Sequence, residues 1–259
     1  MTSPSKTAII TGAAQGIGKR TAELLLENGY SVALVDLQST NHVGRDFRES
    51  NPVLDFQADI SDEKSVTDLV TKVEAEWGHI DLLVNNAGIS SICPAEQTST
   101  QQFRRVLEIN LVAPFVLSRA VGPKMISRRK GAIVNVASIA GLFGIADRTA
   151  YNASKHGLIG LTRTLAAEWG GRGVRVNAVC PGWVKTEMDA ADQSPATYTD
   201  DDIINRVPMA RFASPQDIAQ AILFLADETK SGFVNGHTLV VDGGWTADAS
   251  WETLRLRHR

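Results

Sequence analysis

Apolar residues in this chain fall into short continuous runs separated by longer amphipathic stretches. The runs are rich in Val, Ile, Leu and Ala without polar alternation, which is typical of strands covered on both faces. They predict strands at Thr7–Thr11, Ser31–Val35, Val53–Gln57, Ile80–Val84, Ala132–Ala137, Val174–Val179 and Thr238–Val241. The stretches between them predict a helix beginning near Ile17 and others at Ser61–Trp77, Gln101–Ser127, Ala150–Trp169 and Pro215–Ala226.

This order of strands and helices predicts an α/β protein. We expect a single Rossmann-type domain over residues 1–259, with a doubly wound, parallel, seven-stranded sheet and helices on both faces. A chain of 259 residues fits one domain of this kind. Ligands of such a sheet bind beyond the carboxyl ends of the strands.

A glycine-rich turn joins the first strand to the first helix. Gly12, Gly16 and Gly18 have the spacing Gly-x-x-x-Gly-x-Gly, with Gln15 and Ile17 between them. Glycines let the backbone turn tightly, and the N-terminus of the helix that follows favours a pyrophosphate. We interpret the turn as the phosphate-binding part of a dinucleotide site. A glycine-rich turn without a ligand is the alternative.

Asp36 ends the second strand about 20 residues after the glycines. A carboxylate there can accept hydrogen bonds from both hydroxyls of the adenosine ribose and would repel a 2′-phosphate. Leu37 and Gln15 bring no positive charge to offset that repulsion. The sequence therefore predicts NAD as the cofactor in preference to NADP, and a solvated loop aspartate is the alternative interpretation.

Tyr151 and Lys155 lie four residues apart, with Ser138 a short distance upstream. Four residues is about one helical turn, so both side chains lie on one face of a helix. The pKa of a phenol is about 10, and an ammonium beside it favours the phenolate and lowers that pKa. The three side chains together could move a proton to or from a carbonyl or alcohol oxygen. The Tyr-x-x-x-Lys spacing alone is a weak signal.

Taken together, these motifs resemble the short-chain dehydrogenase/reductase family over nearly the whole chain, from Lys6 to Gly244. The matching segments are Thr11 to Gly18, Asn85 to Gly88 (Asn-Asn-Ala-Gly) and Pro181-Gly182, together with Asn110, Ser138, Tyr151 and Lys155 at the four catalytic positions. The resemblance implies a Rossmann fold and a nicotinamide cofactor. It leaves the substrate open.

The resemblance also implies roles for the four catalytic residues. Tyr151 is expected to be the general acid–base, and Ser138 to orient the substrate oxygen. Lys155 is expected to lower the pKa of Tyr151 and to hydrogen-bond the nicotinamide ribose. Asn110 is expected to hold a water linked to Lys155. Because asparagine is mildly unfavourable inside a helix, a structural kink is the other explanation for Asn110.

Further cofactor contacts are implied by family position. Asp59 is expected to contact the adenine amino group with the Ile60 backbone beside it. A helix N-cap is the alternative role for Asp59, although Ser61 fits the cap better. The remaining contacts are expected from Asn86, Ala87 and Gly88 near the ribose, from Pro181 and Gly182 under the nicotinamide, and from Val184 and Thr186 at the carboxamide and diphosphate. Packing is the alternative role for Val184.

The substrate pocket is placed by the same resemblance. Its expected lining is Ser90, Ser91, Ile92, Ala140, Ile145 and Trp183 with residues 187–205. That segment is long and acidic, containing Asp189, Asp192, Asp200, Asp201 and Asp202, and we expect a lid over the substrate. A solvated lid that never touches substrate is the alternative. Arg148 could reach an anionic group of the substrate, or could be a surface or subunit-contact arginine.

A polar lid favours a hydroxylated substrate, and we expect a sugar or polyol oxidised at a secondary alcohol or anomeric carbon. The tail, residues 245–259, is similar to the tails of sugar-oxidising family members. The family resemblance implies a homotetramer, and Trp251, Leu254 and Leu256 could lie across a neighbouring subunit.

Bulk properties exclude several classes. A formal charge of −3 and a pI of about 6.0 give no electrostatic case for nucleic acid or an anionic membrane. The two cysteines, Cys93 and Cys180, form no metal-like cluster, and the five histidines are scattered, so we expect no metal. The N-terminus lacks a signal peptide, and no stretch approaches the ~20 apolar residues of a membrane span. We therefore expect a cytoplasmic protein.

Two other functions stay open. One is a 3-oxoacyl-carrier-protein reductase, with Arg128, Arg129 and Arg172 as a basic patch for an acidic carrier. The helix C-terminal dipole explains Arg128 and Arg129 without a partner, and Asp36 opposes the NADPH that such reductases usually take. The other is a non-catalytic NAD-binding protein on the same fold.

Overall fold

The computed structural model describes residues 5–193, 198–251 and 254–255, which are arranged around one seven-stranded parallel sheet. The strand order is β3-β2-β1-β4-β5-β6-β7. The strands are β1 (Thr7–Thr11), β2 (Ser31–Asp36), β3 (Val53–Gln57), β4 (Leu82–Asn85), β5 (Gly131–Val136), β6 (Val174–Pro181) and β7 (Thr238–Val241). The predicted doubly wound α/β fold is confirmed, with strand boundaries shifted by at most two residues.

The helices cover both faces of the sheet. They are α1 (Gly16–Glu27), α2 (Glu63–Trp77), α3 (Thr100–Leu107), α4 (Ala113–Arg128), α5 (Thr149–Trp169), α6 (Glu187–Gln193), α7 (Asp200–Arg206), α8 (Pro215–Ala226) and α9 (Glu228–Ser231). The α2 helix begins two residues later than predicted because Asp62 is its N-cap, accepting from the backbone N–H groups of Lys64 and Ser65 at 3.2 Å each. The preference for Ser61 as the cap was therefore wrong.

Each central strand buries both of its faces, which explains the unbroken apolar runs. In β1, Ile10 packs in the core beneath α1 and α8, whereas its neighbour Ile9 packs in the opposite core beneath α2 and α4. Leu34 and Ala33 divide in the same way in β2. Successive side chains of a strand point to opposite faces, so two apolar layers require apolar residues at every position.

The predicted helix Gln101–Ser127 contains a break. A π turn at Glu108–Val112 separates α3 from α4 and carries Asn110, whose side chain is fully buried. The span Thr100–Arg128 has 29 residues and a mean hydropathy of 1.3, so by length and composition it could cross a membrane. This corrects the expectation that no stretch approaches a membrane span. It is weak evidence for one, since 56% of the apolar window is buried and a core helix passes the same test.

The segment predicted as a polar lid loop contains two short helices, α6 and α7. The α7 helix begins at a capping box between Thr199 and Asp202. Lys185 connects the two helices through ion pairs to Asp189 at 3.2 Å and Asp200 at 2.7 Å. Residues 194–197 lie outside the described residues.

The beginning of the tail folds back on its own chain. Asp248 forms ion pairs with Arg206 of α7 at 3.4 Å and with Arg255 at 3.5 Å. Trp251 is 71% exposed and Leu254 is 44% exposed, so neither is buried within this chain. The predicted subunit contact of Leu256 lies outside the described residues.

Candidate active site

A cavity of about 310 Å³ runs along the carboxyl edge of the sheet. Of the residues predicted from the sequence, its wall contains Gly12, Gln15, Gly16, Ile17, Asp36, Leu37, Asp59, Ile60, Asn86, Ala87, Gly88, Ser138, Ala140, Ile145, Arg148, Tyr151, Lys155, Pro181, Gly182, Trp183, Val184 and Thr186. The cavity therefore joins the predicted dinucleotide site to the predicted catalytic residues.

The wall differs from prediction after Gly88. Ile89 lines the cavity there, in place of the predicted Ser90, Ser91 and Ile92. The chain turns away because the Cys93 N–H donates to the carbonyl of Asp147 at 2.7 Å. Ser90 still approaches the site through its hydrogen bond with Arg148. Sequence reasoning also missed the wall residues Ile109 and Ile139, since apolar residues at such places look like ordinary core.

The glycine-rich turn is shaped to receive a group against its backbone. Gly12 and Gly16 have φ values of +65° and +55°, in the left-handed region that favours glycine. A Cβ at Gly18 would lie 2.0 Å from the Gly12 carbonyl oxygen, so no side chain fits between strand and helix. The α1 helix begins at Gly16 and presents its N-terminus to the cavity. This cradle fits the diphosphate of a dinucleotide.

The Asn-Asn-Ala-Gly segment at the end of β4 holds the glycine-rich turn through side-chain hydrogen bonds. The sequence did not predict this role. The Asn86 amide donates to the carbonyls of Thr11 at 2.9 Å and Gly12 at 3.0 Å. In return, the Thr11 hydroxyl accepts from the backbone N–H groups of Asn86 and Ala87 at 3.1 Å each. The glycine turn and the Asn-Asn-Ala-Gly segment are therefore one hydrogen-bonded unit.

Asp36 lies at the far end of the cavity from Tyr151 and is attached to the same turn. Its two carboxylate oxygens accept from the N–H groups of Ala14 and Gln38 at 2.9 Å each. The side chain of His42 contacts the Ala14 carbonyl at 2.8 Å. Leu37 is 60% exposed beside the cavity. Each carboxylate oxygen has a second lone pair, so further donors can still be accepted.

Asp59 is not the cap of α2. Its carboxylate accepts from the backbone N–H of Ser61 at 2.9 Å and from the Ser61 hydroxyl at 2.7 Å, and Arg105 approaches at 3.4 Å. These hydrogen bonds hold the pKa of Asp59 below its usual range, Ser61 contributing most. The helix-cap alternative is excluded, and the adenine contact stays a prediction.

Ser138, Tyr151 and Lys155 meet at the other end of the cavity. Ser138 follows β5, where its hydroxyl accepts from the Ala140 N–H at 3.1 Å. Tyr151 and Lys155 are one turn apart on α5, and the Lys155 Nζ lies 5.6 Å from the centre of the Tyr151 ring. Ser138 is near enough to the Tyr151 hydroxyl to lower the pKa of Tyr151. The tertiary structure thus assembles the three groups that the sequence singled out.

Burial dominates the electrostatics of these groups. It raises the pKa of Tyr151, and the neighbouring Ser138 side chain and the charge of Arg148 only partly oppose that rise. It also lowers the pKa of Lys155 to about 8, and the Lys155 Nζ donates to the Val136 carbonyl at 2.8 Å. Arg148 is the cation that lowers the pKa of Tyr151 here, and the expected lowering by Lys155 stays a prediction. Burial of the phenolate outweighs the neighbouring charges.

Asn110 is positioned by the π turn. Its side-chain oxygen accepts from the Ile89 N–H and its amide donates to the Ile89 carbonyl, both at 2.9 Å. The amide also donates to the Ser154 hydroxyl at 3.1 Å. A Cβ at Gly88 would lie 3.2 Å from the Asn110 oxygen, which shows how closely this chain segment approaches. Asn110 therefore fixes the loop beside the cavity, and its water-holding role stays a prediction.

Arg148 is buried in the cavity wall, with a side-chain exposure of 8%. Its Nη1 atom lies 2.7 Å from Asp192 Oδ2 on α6 and 2.8 Å from the Ser90 hydroxyl. Its Nη2 atom donates to the Tyr198 hydroxyl at 3.3 Å, and its guanidinium lies 5.7 Å from the Trp183 ring centre. The alternative of a surface arginine is wrong.

Comparison with known proteins identifies the family. A family model described as enoyl-(acyl carrier protein) reductase matches residues 12–246. D-threitol dehydrogenase of Mycolicibacterium smegmatis is 41% identical over 248 residues, covering 93% of each chain. The 3-oxoacyl-[acyl-carrier-protein] reductase of Thermotoga maritima is 38% identical over 243 residues, covering 92% of this chain and 97% of that protein. The chain belongs to the short-chain dehydrogenase/reductase family.

Further relatives of this short-chain dehydrogenase/reductase differ in substrate and length. Cis-4-hydroxycyclohexanecarboxylate dehydrogenase of Sinomonas cyclohexanicum is 39% identical over 245 residues, covering 93% of this chain and 97% of that protein. The uncharacterized short-chain type dehydrogenase/reductase y4vI of Sinorhizobium fredii is 40% identical over 243 residues. The match covers 93% of this chain and only 44% of that longer protein.

Solved structures of similar proteins agree with the fold. Levodione reductase has a TM-score of 0.90 at 32% identity, covering 93% of this chain and 98% of that chain. ElxO with NADP bound has a TM-score of 0.87 at 33% identity, covering 94% of this chain and 100% of that chain. 4-Hydroxyisoleucine dehydrogenase complexed with NADH has a TM-score of 0.85 at 36% identity, with the same coverage. This short-chain dehydrogenase/reductase is an oxidoreductase acting on alcohol or ketone groups, and two of these structural neighbours have NADP or NADH bound.

The basic patch considered for a carrier protein lies at the opposite edge of the sheet from the active site. Arg128 donates to the Ile80 carbonyl, and Arg129 to the Gly171 carbonyl, both just before strands begin. The eight residues of β6, at about 3.3 Å each, put the two edges about 25 Å apart. Within the described residues, no group of three or more His, Cys, Asp or Glu side chains could hold a metal.

Proposed function

We propose that this protein is an NAD-dependent dehydrogenase that transfers a hydride between the nicotinamide and a secondary alcohol or ketone carbon of a small polar substrate. The observation that carries this proposal is the single cavity joining the glycine turn and Asp36 to Ser138, Tyr151 and Lys155. The bound cofactor supplies hydride chemistry, and the protein supplies orientation and proton transfer.

Tyr151 moves the proton in the proposed reaction. During oxidation it takes the proton of the substrate hydroxyl, and during reduction it returns a proton to the carbonyl oxygen. Ser138 holds the same substrate oxygen against Tyr151. Because burial raises the pKa of Tyr151, its phenolate needs a positive charge nearby. Arg148 provides one, and protonated Lys155, one helical turn away, is proposed to provide another while holding the nicotinamide ribose.

The proposed cofactor site uses the residues already placed along the cavity. The glycine turn receives the diphosphate, and Asp36 accepts from the adenosine ribose hydroxyls. Asp59 with Ile60 lies at the adenine, whereas Pro181, Gly182, Val184 and Thr186 surround the nicotinamide. The preference for NAD is supported by the carboxylate of Asp36 and the neutral side chain of Leu37 at the position where NADP carries a phosphate.

The NAD preference is tested with Asp36→Asn combined with Leu37→Arg. Asparagine retains an acceptor for the Ala14 N–H, so the glycine turn keeps that hydrogen bond while the negative charge is removed. We expect the ratio of kcat/KM for NAD to kcat/KM for NADP to fall by about tenfold or more. Asp36→Asn alone is the matched control. An unchanged ratio in the double variant would show that Asp36 does not reach the ribose.

The proposed substrate is a hydroxylated molecule such as a sugar or polyol, oxidised at a secondary alcohol or anomeric carbon. Support comes from the polar side of the cavity beyond Tyr151, where Arg148, Asp189 and Asp192 line the wall. The relative named D-threitol dehydrogenase acts on a polyol. We propose that residues 187–205 form the lid, since Glu187 and Met188 of α6 also line the cavity.

The principal test is NADH formation with NAD and a panel of polyols, aldoses and hydroxy acids. Tyr151→Phe should lower kcat/KM by about 10²–10⁴-fold, because the general acid–base is lost. Tyr30→Phe is the matched control, since Tyr30 is buried in the core beneath α1. Hydride transfer by Tyr151→Phe at the wild-type rate would refute the proposed mechanism. It would also exclude the alternative of a family member that binds NAD without catalysis.

A 3-oxoacyl-carrier-protein reductase is the second candidate, favoured by the relative of that name at 38% identity. The position of Arg128 and Arg129 opposes it, because a carrier docked there would be about 25 Å from Tyr151. Reduction of an acetoacetyl thioester with NADPH, without oxidation of any alcohol with NAD, would make it the better assignment.

We also propose one domain over residues 1–259 that assembles as a homotetramer in the cytoplasm. Exposed apolar side chains at the end of the π turn, on α4 and around α8 and β7 support subunit contacts; they are Val112, Phe115, Phe224, Phe233 and Val240. Light scattering coupled to gel filtration measures the mass in solution, and a monomer would refute the assembly.

A further inference from the structure

We propose that Arg148 binds a carboxylate of the substrate, which is accordingly a hydroxy acid, and that this carboxylate replaces the Asp192 carboxylate seen beside Arg148 here. The proposal rests on the proposed function, because it takes Tyr151 as the site of the reacting oxygen. It narrows the substrate from polyhydroxylated molecules in general to those that carry an acid group.

The first argument is position. Arg148 and Tyr151 line the same cavity, at the N-terminus of α5, three residues apart. Arg148 is the N-cap residue of α5, and Tyr151 lies in the first turn of that helix. The positive charge of Arg148 is close enough to act on the pKa of Tyr151. A small substrate whose oxygen meets Tyr151 can therefore reach Arg148 with a group at its other end.

The second argument is the contact that Arg148 makes now. A buried guanidinium requires a counter-charge, and Asp192 supplies it through one pair of atoms, Nη1 and Oδ2. A guanidinium can instead hold a carboxylate through two parallel hydrogen bonds, which are stronger and more directional. A substrate carboxylate arriving through the cavity can take that arrangement, so exchange for Asp192 is favourable.

The third argument is that Asp192, rather than Arg148, can move out of their ion pair. Arg148 is held by Ser90, Tyr198 and the Trp183 ring in addition to Asp192, and its side chain is 8% exposed. The Asp192 side chain is 17% exposed and stands on α6, a helix of seven residues. Asp192 can return to water at a smaller cost, so the arginine stays and the aspartate is displaced.

The other acid in this wall does not cancel the charge of Arg148. Asp189 is buried beside the cavity and is paired with Lys185 at 3.2 Å. Burial raises its pKa, with the Lys185 ion pair opposing that rise. Removal of Asp192 therefore leaves Arg148 in the cavity wall as a buried cation without a carboxylate from α6 beside it.

The test uses binding of two unreactive probes, cyclohexanecarboxylate and cyclohexanecarboxamide, measured by calorimetry at neutral pH. The probes are similar in shape and differ in charge, and neither has a hydroxyl to oxidise. We expect the wild type to bind the carboxylate more tightly than the amide. Asp192→Asn should tighten carboxylate binding about tenfold, and Arg148→Gln should weaken it by about tenfold or more.

Asp201→Asn is the matched control, because it removes a negative charge from an exposed position on α7. It should leave both affinities within about twofold of the wild type. If the ion pair between Arg148 and Asp192 only stabilised the cavity wall, Asp192→Asn would weaken binding of the carboxylate. The proposal predicts the opposite, that this variant binds the carboxylate more tightly. The inference is overturned if the wild type does not bind the carboxylate more tightly than the amide, or if Asp192→Asn fails to tighten it.

The two proposals fail separately. Oxidation of neutral alcohols with NAD, together with equal binding of the two probes, would overturn the Arg148 inference and leave the dehydrogenase function intact. Preferred binding of the carboxylate, strengthened in Asp192→Asn, with no hydride transfer to NAD from any alcohol or hydroxy acid, would support the anion site and refute the proposed function.

Discussion

Replacement of Lys155 by methionine should stabilise the protein at neutral pH, although Lys155 is proposed to be catalytic. Burial lowers the pKa of Lys155 from 10.5 to about 8. Below pH 8 the folded protein must keep a buried ammonium. Between pH 8 and 10.5 only the unfolded chain holds that proton, so the cost of the lysine falls as pH rises. At pH 7 this cost is about 3 kcal/mol, and at pH 9.5 it is about 1 kcal/mol.

Lys155→Met also removes the hydrogen bond from Nζ to the Val136 carbonyl, which offsets about 1 kcal/mol of the gain. The free energy of unfolding should therefore rise by about 2 kcal/mol at pH 7, and the gain should be close to zero at pH 9.5. Urea unfolding of the ligand-free protein, followed by circular dichroism at one fixed protein concentration, measures both values.

Lys64→Met is the matched control, since Lys64 is an exposed lysine on α2 paired with Asp68. The difference in free energy of unfolding between Lys64→Met and the wild type should not change between pH 7 and pH 9.5. An exposed lysine stays protonated in both the folded and the unfolded state over this range. A stability difference for Lys155→Met that is also constant with pH would refute the reasoning, because burial would then not disfavour the ammonium.

Three further predictions concern the cofactor cradle, the π turn and the general base. Gly18→Ala should abolish NADH binding measured by fluorescence, because its Cβ would lie 2.0 Å from the Gly12 carbonyl oxygen; retained affinity would contradict the cradle. Asn110→Ala should lower the free energy of unfolding by about 2 kcal/mol in urea, since both backbone groups of Ile89 lose a partner; a change below about 0.5 kcal/mol would contradict it. The rate of alcohol oxidation should rise with pH as Tyr151 ionises, because burial raises its pKa, and a flat profile with hydride transfer rate-limiting would count against Tyr151 as the base.

Local patterns account for most of the fold. Unbroken apolar runs predicted the strands because β1 and β2 bury both faces, and the spacing of Gly12, Gly16 and Gly18 predicted a cradle that depends on a short contiguous segment. Predicted helix boundaries were less accurate where two neighbouring side chains could each cap the helix, as with Asp62 and Ser61 at the start of α2. The break at Glu108–Val112 was visible only as an asparagine in a helical pattern.

The sequence by itself determined the strand and helix order, the glycine turn and the choice of Ser138, Tyr151 and Lys155 as proposed catalytic residues, because each depends on residues close together in the chain. The tertiary structure alone decided how distant residues act on one another. Asn86 braces Thr11 across 75 positions, and Asp192 neutralises Arg148 across 44. The raised pKa of Tyr151 likewise follows from burial by surrounding elements, which no local spacing encodes. Long-range contact and exclusion of water are properties of the packed chain, so they became known only with the fold.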